Sequence, residues 1–362
     1  MRILRRSIVL FATAVILLPA AAADRLTVVS WGGAYTKSQM LGFILPFEEA
    51  TGITVDVLEY AGGIEEVRSQ VRSWNVRWDL VDMELFDARR ACRENLLVPL
   101  DHDTLPPAPD GTPAREDFLD GSLLRCGIGN VVAATVVAYD HERIEQAPAS
   151  IEDFFDVQRF PGRRGLRRSP KVNLEWALIA DGVPREDVYR VLDTEEGVER
   201  AFRVLSRIKP WVEWWRSGEE AIQLLETGRV SMTSVFNGRV FDAVQRGETF
   251  AILWDHQVWF MDVWVIPRNG RRQEQAKAFI RFATSTESLS RQMRHIPYGP
   301  VRRSALERID PEMRRQLPTA EENMVTAIEG DAQWWAENLD RLTDRFERWL
   351  QRPVMVPRAL PN

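Results

Sequence analysis

A single acid within an aromatic run is the first feature of this sequence that suggests a binding chemistry. The stretch QVWFMDVWVIP (residues 257–267) surrounds Asp262 with Val, Trp, Phe, Met and Ile side chains and ends in a proline. A short apolar run of this composition, bounded by turn residues, predicts a β-strand. Because side chains alternate between the faces of a strand, Phe260, Asp262 and Trp264 share one face. An ionised carboxylate there is costly unless a cation meets it, and that cation belongs either to the protein or to a ligand.

Catalytic chemistry has little support in the sequence. There is no GxSxG, HExxH, GxxxxGK[ST] or CxxC motif, and the four histidines lack metal-ligand spacing. CGIGNVV (residues 126–132) has two glycines of a dinucleotide fingerprint but a valine in place of the third. We therefore expect no catalytic residue, no metal and no cofactor. A secreted hydrolase with two carboxylates facing each other across a cleft stays open as a less favoured class.

Strands and helices alternate along the chain. Residues 26–30 and 53–58 predict strands, and between them Met40 to Phe47 carry apolar side chains at helical spacing. Strand, helix and strand at this length form a βαβ unit and hence a parallel sheet. NVVAATVVAYD (residues 130–140) is an apolar strand long enough to leave one lobe and enter another. The sequence thus predicts two α/β lobes that close on a ligand about a hinge.

The boundaries of these lobes follow from the same strands. We predict a first lobe of residues 24–135 with 262–306, and a second of residues 136–261 with 307–351. The proline-containing segment 352–362 is predicted to be a flexible tail.

The N-terminal residues predict export. Three arginines precede an apolar run over residues 8–18, and three alanines precede Asp24. A positive segment, a short apolar segment and small residues at a cleavage site are typical of a secretory signal peptide. A membrane anchor is the alternative, but this apolar run is short for a bilayer span. We predict that residues 1–23 are removed near Ala23 and that the mature protein is soluble in the periplasm.

Composition and cysteine content agree with an exported globular protein. The 362 residues are 45% hydrophobic and carry a formal net charge of −6, with no basic stripe that would indicate nucleic-acid binding. Cys92 and Cys126 are the two cysteines. In an exported protein such a pair predicts a disulfide, worth roughly 3 kcal/mol, with two buried free thiols as the alternative.

Several motifs taken together resemble the bacterial solute-binding proteins of ABC importers, in the spermidine/putrescine-binding family, with its γ-aminobutyrate (GABA)-binding branch as the candidate within it. The resemblance extends from LTVVSWGGAY to the final helix. Its motifs are SMTSVFNGRVFDAVQRG (231–247), VWFMDVWVIPRNG (258–270), AKAFIRFATSTE (276–287) and IPYGPVRRSAL (296–306). The resemblance implies a two-lobed type II periplasmic binding protein fold, each lobe a mixed sheet flanked by helices, with the ligand cleft at the hinge. It also implies a monomer that is not an enzyme and that docks on a permease in the inner membrane.

The resemblance also implies roles for individual residues. Asp262 becomes the carboxylate that binds an ammonium group of the ligand. Phe236 and Phe260 become walls that stack on its aliphatic chain, Trp31 a wall from the first lobe, and Tyr298 a contact from the returning segment. These roles suit an amine, because a cation gains from an aromatic face and from a charge-assisted hydrogen bond. Without the resemblance, these aromatic residues would be predicted to be plain core.

One further acid is a candidate from its position. Glu84 lies near the end of a predicted parallel strand, where α/β clefts collect ligand groups. It is either a second amine contact, which would favour a polyamine, or a solvated loop acid.

Departures from the polyamine pattern favour a different ligand. The family places acids after the first-strand tryptophan, where this chain has WGGAY, and before a second-lobe helix, where it has Arg167, Arg168, Ser169 and Lys171. Arg239 follows the FNG motif. A site that loses acids and gains arginines suits one ammonium and one carboxylate, so we predict an ω-amino acid such as GABA, with Arg239 as the carboxylate partner. A structural Arg239–Asp262 ion pair and a polyamine ligand, putrescine or spermidine, are the alternatives.

Overall fold

The structure is a computed structural model that describes residues 25–353. The predicted signal peptide lies outside the described residues, as does the segment 354–362 of the predicted tail. None of the helices within 25–353 combines the length and the apolar character needed to cross a bilayer.

The strands have the following bounds: β1 (Arg25–Ser30), β2 (Thr54–Glu59), β3 (Leu80–Glu84), β4 (Leu123–Leu124), β5 (Gly127–Asp140), β6 (Arg164–Arg167), β7 (Val212–Trp215), β8 (Met232–Phe236), β9 (Phe250–Val265), β10 (Gly299–Pro300) and β11 (Ile328–Glu329).

The α-helices have the following bounds: α1 (Gly33–Gln39), α2 (Leu45–Thr51), α3 (Glu65–Arg72), α4 (Leu85–Arg93), α5 (Ala114–Asp117), α6 (Ile151–Phe155), α7 (Asn173–Ile179), α8 (Val188–Leu192), α9 (Glu195–Ile208), α10 (Gly218–Glu226), α11 (Asn237–Gln245), α12 (Gln273–Ala283), α13 (Thr286–Gln292), α14 (Arg303–Leu306), α15 (Pro311–Arg315), α16 (Glu321–Met324) and α17 (Ala332–Leu350). A π-helical turn (Met40–Ile44) joins α1 to α2, and short 3₁₀ turns occupy His102–Thr104, Arg185–Asp187 and Lys209–Trp211.

The strands form one continuous mixed sheet that runs through both lobes. Its order is β2-β1-β3-β9-β5-β8-β6-β7. At one end β2, β1 and β3 are parallel, and at the other end β7, β6 and β8 are parallel. The long strands β5 and β9 lie between these groups and pair antiparallel with each other. The predicted α/β fold of two lobes joined by crossing strands is confirmed.

Strand β9 is longer than the sequence predicts, because it begins at Phe250 rather than near Val258. Its pairing with β5 shifts register where Thr135 opposes Val258 but Val137 opposes Leu253. At this irregularity, four residues of β9 lie opposite a single residue of β5. The extra residues let both strands bend from one lobe into the other.

Each lobe has its own hydrophobic core. In the first, Trp264 of β9 packs at ring-centroid distances of 6.1 Å from Phe43 and 5.5 Å from Phe279. In the second, Trp176 and Trp335 are fully buried among the helices that surround β6 and β7. The cores are consistent with two lobes, and the predicted boundaries between them stay a prediction.

The predicted disulfide between Cys92 and Cys126 is confirmed. Their Cα atoms lie 5.8 Å apart, and the bridge closes a sequence separation of 34 residues. It ties the end of α4 to the start of β5, so that α4 is fixed covalently to the crossing strand.

Candidate ligand-binding site

A cavity of about 610 Å³ lies between the two groups of parallel strands. All seven residues that the sequence singled out line it, namely Trp31, Glu84, Phe236, Arg239, Phe260, Asp262 and Tyr298. It is also lined by residues that the sequence did not single out as contacts, among them Tyr35, Glu59, Tyr60, Arg167, Arg216 and Glu219.

Junctions between strands and helices deliver most of these side chains. Trp31 follows β1 directly before α1, Glu84 ends β3 before α4, and Phe236 ends β8 before α11. Strands of an open α/β sheet point their carboxyl ends at the ligand crevice, so residues at such junctions converge on one space. Asp262 and Phe260 reach the same space from the crossing strand β9.

Asp262 is a buried carboxylate without a protein cation at bonding distance. It is 5% exposed, and its Oδ1 atom has no hydrogen-bond partner among the described residues. Burial raises its pKa well above the ordinary value, and the nearby charges of Asp82 and Glu84 raise it further. No ion pair within 4 Å joins Asp262 to Arg239 or to another residue of the described chain. The internal bridge considered from the sequence is therefore not formed.

Asp82 is a second buried aspartate, and the sequence reasoning missed it. Its Oδ2 accepts hydrogen bonds from Tyr35 (2.7 Å), Gln39 (2.6 Å) and Asn130 (2.9 Å). Burial raises the pKa of Asp82 to about 7, although these hydrogen bonds oppose the shift. The signal was present in the sequence, because Asp82 stands in an apolar strand just as Asp262 does.

Glu84 ends β3 and lines the cavity. It is buried rather than a solvated loop acid, and it forms ion pairs with Arg167 (3.3 Å) and with Lys171. Burial opposes its ionisation, but the charges of Lys171 and Arg167 outweigh burial and lower the pKa of Glu84. This acid is thus already neutralised by the protein.

One of the three guanidinium nitrogens of Arg239 has no hydrogen-bond partner among the described residues. Its Nη2 donates to the carbonyls of Trp31 (3.2 Å) and Gly32 (3.1 Å), and its Nη1 forms an ion pair with Glu219. Its Nε is buried and has no partner among the described residues. Glu219 itself is 47% exposed, so its hold on the guanidinium is open to water.

In WGGAY, Gly33 makes room for this arginine and Gly32 lies against Glu59. Gly32 and Gly33 have φ angles of +80° and +54°, which favour glycine. A Cβ on Gly33 would lie 2.1 Å from Nη1 of Arg239. A side chain at position 33 would therefore collide with this guanidinium and with its partner Glu219.

Aromatic rings form the walls of the cavity. Trp31 packs on Tyr60 with ring centroids 4.9 Å apart, and Phe236 packs on Phe260 at 5.8 Å. These pairs line the cavity and offer apolar surface for an aliphatic chain.

Comparisons with known proteins identify the family. A family model described as bacterial extracellular solute-binding protein matches residues 43–319. A "gamma-aminobutyric acid-binding protein" of Pseudomonas aeruginosa is 37% identical over 332 residues, which is 92% of each chain. A "spermidine/putrescine-binding periplasmic protein" of Escherichia coli is 24% identical over 86% of this chain and 87% of its own.

Solved structures agree with these sequence relatives. The PBP MotA of A. tumefaciens B6, in complex with glucopine, superposes with a TM-score of 0.83 and 27% identity, over 90% of this chain and 99% of its own. A structure described as a GABA receptor superposes with a TM-score of 0.80 and 25% identity, over 92% and 99%. The resemblance seen in the sequence motifs is confirmed. This chain belongs to the bacterial extracellular solute-binding protein family.

Proposed function

We propose that this solute-binding protein captures a small zwitterionic ω-amino acid, of which GABA is the simplest candidate, between its two lobes. The family consists of binding proteins that serve ABC transporters, so the protein is not an enzyme and delivers a small molecule to a membrane permease. The ligand class, the monomeric state and docking on an inner-membrane permease belong to the proposal.

Two unmatched polar groups on one cavity carry this proposal. Asp262 presents a buried oxygen without a donor, and Arg239 presents a buried Nε–H without an acceptor. A buried polar group without a partner is costly, so a complementary group from a ligand would be favoured at each. In the proposed complex, the ligand ammonium donates to Asp262 and the ligand carboxylate accepts from Arg239. The methylenes between them lie against Phe236 and Phe260.

The start of helix α10 supports the carboxylate end. Ser217, Gly218 and Glu219 line the cavity at this helix N-terminus. The first N–H groups of a helix have no intrahelical partner and favour an anion. A Cβ on Gly218 would lie 2.8 Å from Nε of Arg239, so glycine lets the guanidinium approach. In our proposal the ligand carboxylate replaces Glu219 as the partner of Arg239, and Glu219 turns to solvent.

A polyamine is the second candidate, favoured by the relative from E. coli and by the number of acids around the cavity. Two of the four acids that line the cavity are paired within the protein: Glu84 with Arg167 and Lys171, and Glu219 with Arg239. Apart from Asp262, this leaves only Glu59 among the acids that line the cavity, and it is exposed at the rim. A second ligand ammonium therefore lacks a buried, unpaired carboxylate. The relative named for GABA, which covers most of this chain, also supports the zwitterion.

Calorimetric titration of GABA and putrescine into the wild type and Arg239→Ala tests this proposal. The wild type should bind GABA at least about 100-fold more tightly than putrescine, and Arg239→Ala should lose most of that preference because a charge-assisted bond is removed. Arg239→Lys should restore GABA binding only in part, since an ammonium lacks the Nε–H and the planar fork. Arg271→Ala, in an exposed turn, is the control. Tighter putrescine binding by the wild type, or equal losses for both ligands in Arg239→Ala, would contradict the zwitterion.

We also propose periplasmic export with removal of residues 1–23. The arginine-rich start and the three alanines before Asp24 support this processing. N-terminal sequencing of protein from the periplasmic fraction should begin at or near Asp24. Retention of Met1 in that fraction would refute the cleavage.

A further inference from the structure

A second cavity of about 460 Å³ adjoins the ligand cavity and shares Glu84, Arg167 and Phe260 with it. Lys171 lines only the second cavity, directly behind Glu84. The lysine therefore stands at the boundary between the two spaces.

The ammonium of Lys171 has the surroundings of a bound alkylamine. It forms an ion pair with Glu84 and lies 3.7 Å from the ring centroid of Phe86 and 5.7 Å from that of Phe260. The lysine side chain is only 12% exposed. A carboxylate on one side and aromatic faces on the others are the contacts that proteins use to hold ammonium ligands.

Glu84 and Asp262 are matched positions on neighbouring strands. They are direct partners in the antiparallel register of β3 and β9, so their side chains lie side by side on one face. Both line the ligand cavity. One of these carboxylates is thus neutralised by a protein ammonium, and its neighbour has no such partner.

Two features distinguish the surroundings of Lys171. The next residue, Val172, has a φ of +68°, which a β-branched residue rarely adopts and which is concentrated at functional sites. Glu175 lines the second cavity as well. It is 1% exposed, and its Oε2 has no partner among the described residues. Lys171 therefore shares the second cavity with two buried acids, Glu84 and Glu175.

We propose that Lys171 determines ligand specificity by acting as a built-in second ammonium. Its charged group occupies the position that the distal ammonium of a diamine would take, and the site accepts a ligand with one ammonium at Asp262. The inference rests on the proposed function, since it explains why a cavity lined by several acids would select a monoamine.

Substitution of Lys171 tests the inference. In Lys171→Met the ratio of putrescine affinity to GABA affinity, measured by calorimetry, should rise at least about ten-fold, because the vacated ammonium position beside Glu84 becomes available. Lys171→Arg keeps a cation there and should not show this rise. Lys277→Met, which removes a partly exposed lysine paired with Glu274 outside both cavities, should leave both affinities as in the wild type.

Chemical rescue provides a second measurement should Lys171→Met lose stability. Ethylammonium chloride at millimolar concentration should raise the melting temperature of Lys171→Met, and should have no such effect on Lys171→Arg. An unchanged affinity ratio together with an absence of rescue would overturn the inference. So would a loss of GABA binding without a gain for putrescine, which would make Lys171 a contact of the ligand carboxylate. Failure of the wild type to bind any ω-amino acid would instead overturn the proposed function.

Discussion

Two buried aspartates on adjacent strands govern the behaviour of the site with pH. Burial raises the pKa of Asp82 to about 7 and raises that of Asp262 in the same direction. The ordinary value for aspartate is near 4, so the folded protein without ligand binds more protons than the unfolded chain between these values. The stabilisation from this protonation is complete below the unfolded pKa and is lost as the pH rises through the folded pKa.

Binding of a ligand ammonium should remove the proton from Asp262. A cation beside Asp262 favours the ionised carboxylate, so GABA binding should release a proton near neutral pH, and affinity should rise between pH 5 and pH 8. One linked proton gives a change of up to about ten-fold per pH unit. The amine and carboxyl of GABA do not titrate in this range. Calorimetry across that range, and in two buffers of different ionisation enthalpy at pH 7, measures both effects.

Asp82→Asn provides the control for the pH profile. Asparagine at position 82 removes the charge that opposes ionisation of Asp262. The rise in affinity should therefore move to lower pH. A flat profile in the wild type, or an identical profile in Asp82→Asn, would show that these aspartates do not titrate with binding.

The sequence located the acceptor for the ligand ammonium but not all of its surroundings. Asp262 is recognisable because an acid within an aromatic strand lacks a local partner. Tyr60, Arg216 and Glu59 gave no comparable signal, because each is an ordinary residue in its own segment. They meet only when separate strand and helix junctions converge on the cavity.

At the scale of elements, helix α4 connects the disulfide to the ligand cavity. Glu84 stands at its N-terminal cap, and Cys92 lies in its last turn, bridged to Cys126 before β5. Arg90 on the same helix pairs with Asp340 of α17 at 2.6 Å. The helix is thus fixed near its C-terminal end, and it begins next to Glu84, which lines the cavity.

Removal of the disulfide should destabilise the fold. The double variant Cys92→Ser with Cys126→Ser should lose about 3 kcal/mol of unfolding free energy, because the unfolded chain gains the entropy of an open loop. Denaturant unfolding of the oxidised protein measures this loss. Reduced wild type should unfold like the variant, and reductant should not affect the variant. Equal midpoints for oxidised wild type and the variant would contradict a stabilising bridge.

Local patterns predicted the parallel β1–helix–β2 unit but not the detail of its helix. The π-helical turn Met40–Ile44 interrupts a segment whose apolar spacing is helical throughout. In the structure this turn packs on α13, and Arg291 donates a hydrogen bond of 2.9 Å to the carbonyl of Gly42. Such a departure comes from tertiary contacts, which the spacing of apolar residues does not contain. The early start of β9 has the same origin, since its first residues pair with β5 in the second lobe.

At the scale of the whole molecule, polar contacts join segments on different sides of the cavity. Arg239 on α11 reaches the carbonyls of Trp31 and Gly32 at the start of α1, and Lys171 before α7 reaches Glu84 at the end of β3. These contacts join segments that pack in different cores. A ligand whose ammonium binds Asp262 and whose carboxylate binds Arg239 would add further contacts across the cavity.

In this account the binding energy depends on one buried carboxyl group, that of Asp262, which has no cation partner among the described residues. A micromolar affinity corresponds to about −8 kcal/mol, and loss of a buried charge-assisted bond removes a large part of it. Asparagine at position 262 keeps the shape of the side chain but cannot balance an ammonium. Glu59→Gln, at the exposed rim, removes a carboxylate of the same cavity without touching the buried site.

Titration calorimetry of GABA with the wild type, Asp262→Asn and Glu59→Gln tests whether a ligand ammonium binds Asp262. We predict that Asp262→Asn weakens GABA binding by at least about 100-fold and that Glu59→Gln changes it by less than about three-fold. Far-ultraviolet circular dichroism confirms that each variant is folded. An unchanged dissociation constant in Asp262→Asn would show that no ligand ammonium meets this aspartate, and would contradict the proposed binding mode.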